Sequence, residues 1–317
     1  MPEAGGFLCR SCGSSRTTLR GRKPGWSTRR EFSFYDCGDC GLLFVEPFGG
    51  FEIYNEAYYR GEGPDPFVDY ESEYRDWRRT DRPLEFDDFA RILDEELQTQ
   101  ESKGRKTSHD PLHWLDFGCG AGGFLKYLRE RGSIRGRPLQ LTGHDVGSYA
   151  DMLARDDGFR ILDFSALERE PDASFDVISM IEVIEHLPAP AQQLALVARL
   201  LKPGGLLLLT TGNMDCPVAR RSGIYYGYCA PEIHVSLFSP RSLEHLYRKV
   251  GLAPRTVRYR GAVTFKVVKT LRHHTVLRAM ARPALALPPI RHLVDWLYGI
   301  SAMPCAVKPA PGDLRRP

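Results

Sequence analysis

Two cysteine pairs and a short acidic segment hold the residues best suited to chemistry. Cys9-Arg10-Ser11-Cys12-Gly13 and Cys37-Gly38-Asp39-Cys40-Gly41 form a C-x2-C-x24-C-x2-C pattern, two thiolate pairs able to close a tetrahedral zinc site. With all four positions filled by protein, the Zn2+ would be structural. The glycine directly after each pair gives the turn of a zinc knuckle and argues against redox-active pairs. Farther along runs Met180-Ile181-Glu182-Val183-Ile184-Glu185-His186-Leu187. Read as a helix, it places Glu182, Glu185 and His186 within an arc of roughly 100° on one face. Two carboxylates and an imidazole so placed can hold a divalent cation. The competing reading is a helix N-terminus whose acids favour the dipole and whose histidine packs or hydrogen-bonds. A further histidine, His234, lies in Pro231–Pro240, before a predicted helix.

A third set surrounds a glycine-rich turn, Leu115-Asp116-Phe117-Gly118-Cys119-Gly120-Ala121-Gly122-Gly123, between a strand and a helix. Glycines let the backbone pass close to a ligand, and the helix N-terminus offers free N–H groups. Asp116 stands where it could act on a cationic amino acid moiety. Asp145 ends the next strand, the position from which a carboxylate accepts both hydroxyls of a ribose. Asp163 and Phe164, after the third strand, could bind an adenine amine and ring.

These residues need a scaffold, and the apolar pattern supplies one. From His113, short apolar runs alternate with helical stretches: HWLDFG, FLKYLRE, LTGHD, Tyr149 to Arg155, FRILD, FDVISMI, Gln192 to Leu201, then LLLLTTG. A helix over Phe238 to Val250, a strand over Arg255 to Arg260, a helical region over Val263 to Tyr298 and a last strand over Met303 to Lys308 follow. The alternation predicts an α/β fold, a doubly wound Rossmann-like sheet of seven strands with helices on both faces. Residues 1–45 read as a small zinc ribbon with strand-like Phe32–Tyr35. Residues 46–110 form an aromatic and acidic segment with Tyr54, Tyr58, Tyr59, Tyr70, Tyr74 and Trp77, a helix over Pro83 to Leu97 and a linker over Gln98 to Asp110. Its tyrosines either cover a substrate pocket or pack the helix on the core. Residues 111–262 then form the core and 263–317 a helical C-terminal extension with the last strand.

The ordered set of glycine turn, Asp145, Asp163-Phe164, FDVI and Leu201-Lys202-Pro203-Gly204-Gly205 resembles the class I S-adenosylmethionine-dependent methyltransferases over about residues 112–212. The resemblance implies S-adenosylmethionine as cofactor. Gly118 and Gly120 would approach its methionine part, Asp145 its ribose, and Asp163 and Phe164 its adenine. Met180 opens the segment expected to face the transferring methyl group and counts among the cofactor-binding positions. His144 departs from the small or apolar residue usual there and adds a polar group beside the cofactor. The Glu-x-x-Glu-His element with a downstream histidine resembles ubiquinone-biosynthesis O-methyltransferases and terminal 2′-O-methyltransferases of small RNAs. On that resemblance Glu182, Glu185, His186 and His234 are ligands of Mg2+ or Mn2+ beside the acceptor hydroxyl. Without a metal, His186 or His234 would act as general base. The ribbon, the following Cys-Gly-Leu-Leu-Phe-Val-Glu-Pro and the tyrosine-rich segment resemble bacterial methyltransferases of sugar and natural-product biosynthesis, including C-methyltransferases of nucleotide-linked deoxysugars. That implies a small-molecule acceptor, phosphorylated or nucleotide-linked.

Composition narrows the classes. The chain has 317 residues, 42% apolar and 26% charged, ordinary for an enzyme with one main core. The start lacks the basic stretch and apolar run of a secretory signal, no run approaches the roughly 20 apolar residues of a membrane span, and the scattered remaining cysteines suit a reducing compartment. The expectation is a cytoplasmic protein. Net charge is +3, yet residues 51–110 hold 17 acidic and 9 basic side chains while residues 241–317 hold 3 and 15. The basic end could attract a phosphorylated substrate, a nucleic acid or an anionic membrane surface. The acidic stretch argues against the rival reading as an RNA methyltransferase. Intact glycines, Asp145 and the Glu182–His186 segment argue against a non-catalytic scaffold.

Overall fold

Two sheets carry the chain in the computed structural model, which describes residues 6–63, 70–102, 110–271 and 274–310. The strands are β1 (Thr17–Pro24), β2 (Glu31–Cys37), β3 (Leu43–Glu46), β4 (Leu112–Phe117), β5 (Ser133–Ile134), β6 (Arg137–His144), β7 (Arg160–Leu162), β8 (Phe175–Ile181), β9 (Leu201–Thr210), β10 (Ser236–Leu237), β11 (Ala253–Arg255) and β12 (Cys305–Val307). In β9 the run Leu206–Leu209 is buried on both faces, as a central strand covered by helices on either side must be. The order β7-β6-β4-β8-β9-β12-β11 makes the expected seven-stranded doubly wound sheet, and the two-residue β5 adds an eighth strand on the free half of β6. Strands β7, β6, β4, β8 and β9 pair in parallel, whereas β12 runs antiparallel to both its neighbours. The order reverses beside β4, so the crevice for a ligand opens beyond the carboxyl ends of β4 and β8.

Several expected boundaries move, each for a reason in the hydrogen bonding. Strand β11 ends at Arg255, where the three-residue β12 has no more groups to offer. The backbone N–H groups of the expected Arg255–Arg260 strand go elsewhere: Tyr259 N–H to Ser301 Oγ at 3.2 Å and Arg260 N–H to Asp88 Oδ2 at 2.7 Å. The Pro83 helix continues to Ser102, and Gln100 Nε2 donates to the Gly204 carbonyl at 3.0 Å. The expected linker therefore starts as helix, and its residues 103–109 lie outside the described residues. The C-terminal region is three helices, Gly261–Thr270, Thr275–Ala286 and Pro288–Tyr298. Among the described residues no helix is long and apolar enough to cross a membrane.

The N-terminal ribbon has no seam with the core. Its antiparallel sheet runs β1-β2-β3-β10, so the core lends it a strand, with Ser236 opposite Phe44 and Leu237 opposite Leu43. Leu42 and Phe44 share one buried apolar cluster with Leu115, Ile178 and Phe238.

Candidate functional site

Strand β4 runs into the glycine turn, where Gly118 has φ +83° and Gly120 φ +52°. A Cβ on Gly118 would stand 2.4 Å from Val183, so backbone angle and space both require glycine. The N–H groups of Gly118 and Cys119 donate to the His144 carbonyl at 2.7 and 2.9 Å, tying the turn to the end of β6. Asp145 follows directly. Its Oδ2 accepts the Gly120 N–H at 2.8 Å, and its Oδ1 accepts the Gly147 N–H at 2.9 Å and the Tyr59 hydroxyl at 2.6 Å. A tyrosine of the aromatic segment thus occupies part of the carboxylate expected to hold a ribose. Asp116 is buried and accepts the Ser179 hydroxyl at 2.6 Å. Burial raises its pKa to about 7, against the pull of Ser179 and with the nearby Asp145 charge adding to the rise.

Between this turn and the aromatic segment lies a cleft, open to solvent, whose walls include Phe51, Tyr54, Tyr59, Gly118, Glu182 and His186. Two sequence-predicted cofactor positions fall away from it. The Met180 side chain is fully buried in the apolar cluster with Leu115 and Ile178, because the alternation of β8 turns it into the core. Asp163 is the N-cap of the helix Phe164–Arg169, its Oδ1 accepting the Ala166 N–H at 2.7 Å. Phe164 is exposed, its ring centre 6.0 Å from that of His144.

The segment after β8 is not the α-helix that spacing predicts. Glu182 N–H donates to the Thr210 carbonyl at 3.0 Å, which prolongs the sheet ladder. Glu182 itself takes φ +54°, and only a single 3-10 turn, Ile184–His186, follows. The expected common face is therefore broken. Glu182 turns to Lys266 Nζ at 3.0 Å and the Tyr228 hydroxyl at 3.2 Å. Glu185 is wholly buried and accepts the Thr211 hydroxyl at 2.8 Å and the Tyr228 hydroxyl. Ligand atoms of Glu185, His186 and His234 all lie within 4.8 Å of one another, and Glu182 is not among them.

Both imidazoles are fixed through Nδ1. His186 meets the Ile233 carbonyl at 3.0 Å and the Tyr54 hydroxyl at 2.8 Å, and His234 meets the Tyr228 carbonyl at 2.6 Å. An Nδ1–H donated to a carbonyl leaves Nε2 with its lone pair, the form that binds a metal or takes a proton. His186 Nε2 stands 4.0 Å from Glu185 Oε1. Burial pushes the Glu185 pKa up and the Glu182 charge adds to it, while His186 and the Tyr228 hydroxyl pull it back. Such a buried acid gains from a neighbouring cation. Tyr228 and Lys266 escape sequence reasoning because no spacing links them to the site, and for Tyr59 the sequence offers a pocket-covering segment but not the contact with Asp145. Thr211 had a signal, since it closes the LLLLTTG run at the carboxyl end of a strand.

The four cysteines converge as the spacing predicts. Sulfur separations of 3.5 Å join Cys9 to Cys40 and Cys12 to Cys37, and all four ligand atoms lie within 4.8 Å of one another. That is too long for a disulfide, about 2.05 Å, and close to the roughly 3.8 Å edge of a tetrahedron with Zn–S near 2.3 Å. Gly13 and Gly41 have φ +80° and +75°, and their N–H groups donate to the Cys9 and Cys37 carbonyls at 2.9 and 3.0 Å. These are the knuckle turns expected.

The ribbon also grips the loop that carries His234. Val45 N–H donates to the Val235 carbonyl at 3.0 Å, just after the histidine. Just before it, the Glu232 carboxylate accepts N–H groups of Trp26, Ser27 and Thr28 at 2.8, 3.0 and 2.7 Å, clamping the β1–β2 turn. Partial burial opposes ionisation, but the donors of Thr28, Ser27 and Trp26 outweigh it and hold the pKa below the usual glutamate range. A depressed acid stabilises the fold above its unfolded pKa of about 4.3, and this contribution is lost as pH falls through the folded value. Glu232→Ala should cost about 1–2 kcal/mol at pH 7 and almost nothing in strong acid. Urea melts at both pH values check this, and an equal cost at both would count against the clamp.

The model of a protein family described as "Methyltransferase domain" matches residues 79–257. Among named relatives, the ubiquinone biosynthesis O-methyltransferase of Saccharophagus degradans is 32% identical over 135 residues, 40% of this chain and 50% of that protein. The protein of the same name from Burkholderia vietnamiensis is 36% identical over 111 residues, 32% of this chain and 44% of the relative. The chain thus spans about half the length of the relatives it matches. An S-adenosylmethionine-dependent methyltransferase structure from Mesorhizobium loti aligns at 16% identity and TM-score 0.40, covering 64% of this chain and 92% of that one. The sheet order and the glycine turn define a class I S-adenosylmethionine-dependent methyltransferase fold. The chain belongs to the methyltransferase domain family.

Proposed function

We propose that the protein moves the methyl group of S-adenosylmethionine to a hydroxyl of a small aromatic molecule, assisted by a divalent cation at Glu185, His186 and His234. The convergence of those three ligand atoms within 4.8 Å, beside a cleft walled by aromatic rings, carries the reading. The relatives are named O-methyltransferases of ubiquinone biosynthesis, which supports an oxygen acceptor, and the aromatic rings that wall the cleft turn the reading from sugars toward aromatic hydroxyls. When bound, a cation there favours the ionised form of a neighbouring hydroxyl. Asp116 faces the cationic amino acid end of the cofactor, and Asp145 takes the ribose once the Tyr59 hydroxyl yields its place. His186, on the cleft wall, orients the acceptor oxygen for in-line attack. The Zn2+ of the ribbon is structural in this reading, with four thiolates and no open position.

Transfer of a labelled methyl group should be measured with catechols, nucleotide sugars and a short RNA as acceptors. Transfer to a catechol oxygen is the expected result. Methylation of the RNA or of a sugar carbon in its place would overturn the acceptor class.

Asp116 offers a separate test. Its folded pKa of about 7 exceeds the unfolded value of about 3.9. The free protein therefore loses stability as pH rises through that window. Asp116→Asn should stabilise the free protein at pH 8, by about 2–4 kcal/mol, while weakening S-adenosylmethionine. A destabilised variant with unchanged cofactor affinity by calorimetry would refute this role.

A further inference from the structure

The helices Thr275–Ala286 and Pro288–Tyr298 enter the chain between β11 and β12 and pack on each other. In the second, Val294 packs on the core cluster and Leu297 is half-buried, while Ile290, Leu293, Trp296 and Tyr298 are exposed. Trp296 is 63% exposed and Leu293 56%. On the first helix Val276 is 71% exposed and Met280 63%. Val276, Met280, Pro283 and Leu287 are all exposed and follow the spacing of one helical stripe. Large apolar side chains exposed at this density mark a surface that meets something other than water.

The charges beside these stripes identify the occupant. Arg291 and His292 lie on the second helix, and Arg220 and Arg221 lie on the helix Pro217–Ser222, which packs against it. The ion pairs of this face are Asp215 with Arg220 at 3.6 Å and Asp81 with Arg278 and Arg282 of the first helix, and Asp295 accepts the Ser301 N–H at 2.8 Å, so Arg221 and Arg291 are the arginines that face outward beside the stripes. Residues 241–317 as a whole hold 15 basic and 3 acidic side chains. A two-fold contact between copies of this chain would set the cationic rim against itself. A nucleic acid would have no use for the apolar stripes. An anionic bilayer surface satisfies both features, with apolar side chains at the acyl boundary and arginines at the headgroups. At about 1.5 Å per residue each helix is roughly 17 Å long, far short of a bilayer span and suited to lying in its surface. Exposed tryptophan and tyrosine prefer that boundary.

We infer that the helix pair Thr275–Tyr298 docks the enzyme on an anionic lipid surface. The helix Gly261–Thr270, which brings Lys266 to Glu182, packs on the first helix of the pair, so the docked surface connects to the wall of the cleft.

The experiment is co-sedimentation of the full chain with phosphatidylglycerol–phosphatidylcholine vesicles and with phosphatidylcholine alone. Binding should be confined to the anionic vesicles and should weaken with salt. Arg221→Glu and Arg291→Glu should each reduce it roughly fivefold or more. Leu293→Ser with Trp296→Ser should abolish it while leaving the melting curve and S-adenosylmethionine affinity unchanged. Should that pair fail to fold, Met280→Ser on the other helix should lower binding severalfold. Equal binding to neutral vesicles overturns the inference, as does no binding at all or variants that bind as well as the parent. A dimer in light scattering that the double variant dissociates, with no vesicle binding, overturns it in favour of self-association.

Discussion

Cys37→Ser or Cys40→Ser should release one zinc ion per chain, melt the N-terminal sheet and, through it, disorder the loop that holds His234. The first part follows from the four sulfur atoms, gathered within 4.8 Å on two knuckle turns. A serine there leaves three thiolates, and metal binding is coupled to local folding at apparent values of about 10–16 kcal/mol for zinc-finger peptides. The second part follows from the fold. Strand β3 pairs with β10 two residues beyond His234, and Phe44 and Leu42 sit in the same cluster as Phe238 and Ile178. Zinc loss therefore exposes apolar surface of the core as well as of the ribbon. Elemental analysis of the parent should give one zinc per chain, and the serine variants should lose it with a fall in Tm. A parent without zinc would end the structural-zinc reading. Zinc loss without any change in activity would refute the coupling to His234.

What the sequence disclosed divides along physical lines. The doubly wound sheet was readable because β4, β6, β8 and β9 are short apolar runs spaced by helices, and the glycine turn because its backbone angles allow little else. The clustering of the four cysteines was readable because two local turns fix their spacing. The face shared by Glu182, Glu185 and His186 was misread because helical spacing was assumed where the Glu182 N–H still bonds across the sheet to Thr210. The burial of the Met180 side chain was not readable from chain position, because strand alternation decides which face a side chain takes. The partnership of β3 with β10 and the contact of Tyr59 with Asp145 join residues far apart in sequence. No local pattern encodes such pairs. The exposed helices Thr275–Tyr298 show the converse, since their apolar residues were visible in the sequence while their lack of cover was not.

Removing divalent cations should abolish methyl transfer while leaving S-adenosylmethionine binding intact, and Mg2+ or Mn2+ should restore it. The expectation rests on Glu185, His186 and His234, whose ligand atoms are close enough for one ion, and on the carbonyls that accept from both Nδ1–H groups and leave each Nε2 its lone pair. Mixed oxygen and nitrogen ligands suit such ions, whereas the four-thiolate zinc should exchange far more slowly and survive a mild chelator. Manganese binding can be followed directly by electron paramagnetic resonance, without acceptor or turnover. Glu185→Gln and His234→Ala should each lose the bound manganese signal and most of the activity, with cofactor affinity unchanged by calorimetry, because they act at the acceptor. Glu182→Gln separates the geometry from the spacing. Glu182 pairs with Lys266 and stands outside the three-residue cluster, so this variant should keep the manganese signal. Loss of the signal in Glu182→Gln, at retained fold, would restore the four-ligand face read from helical spacing. Full activity in excess chelator, with metal content verified, would remove the ion from the mechanism and leave His186 as the base that takes the acceptor proton.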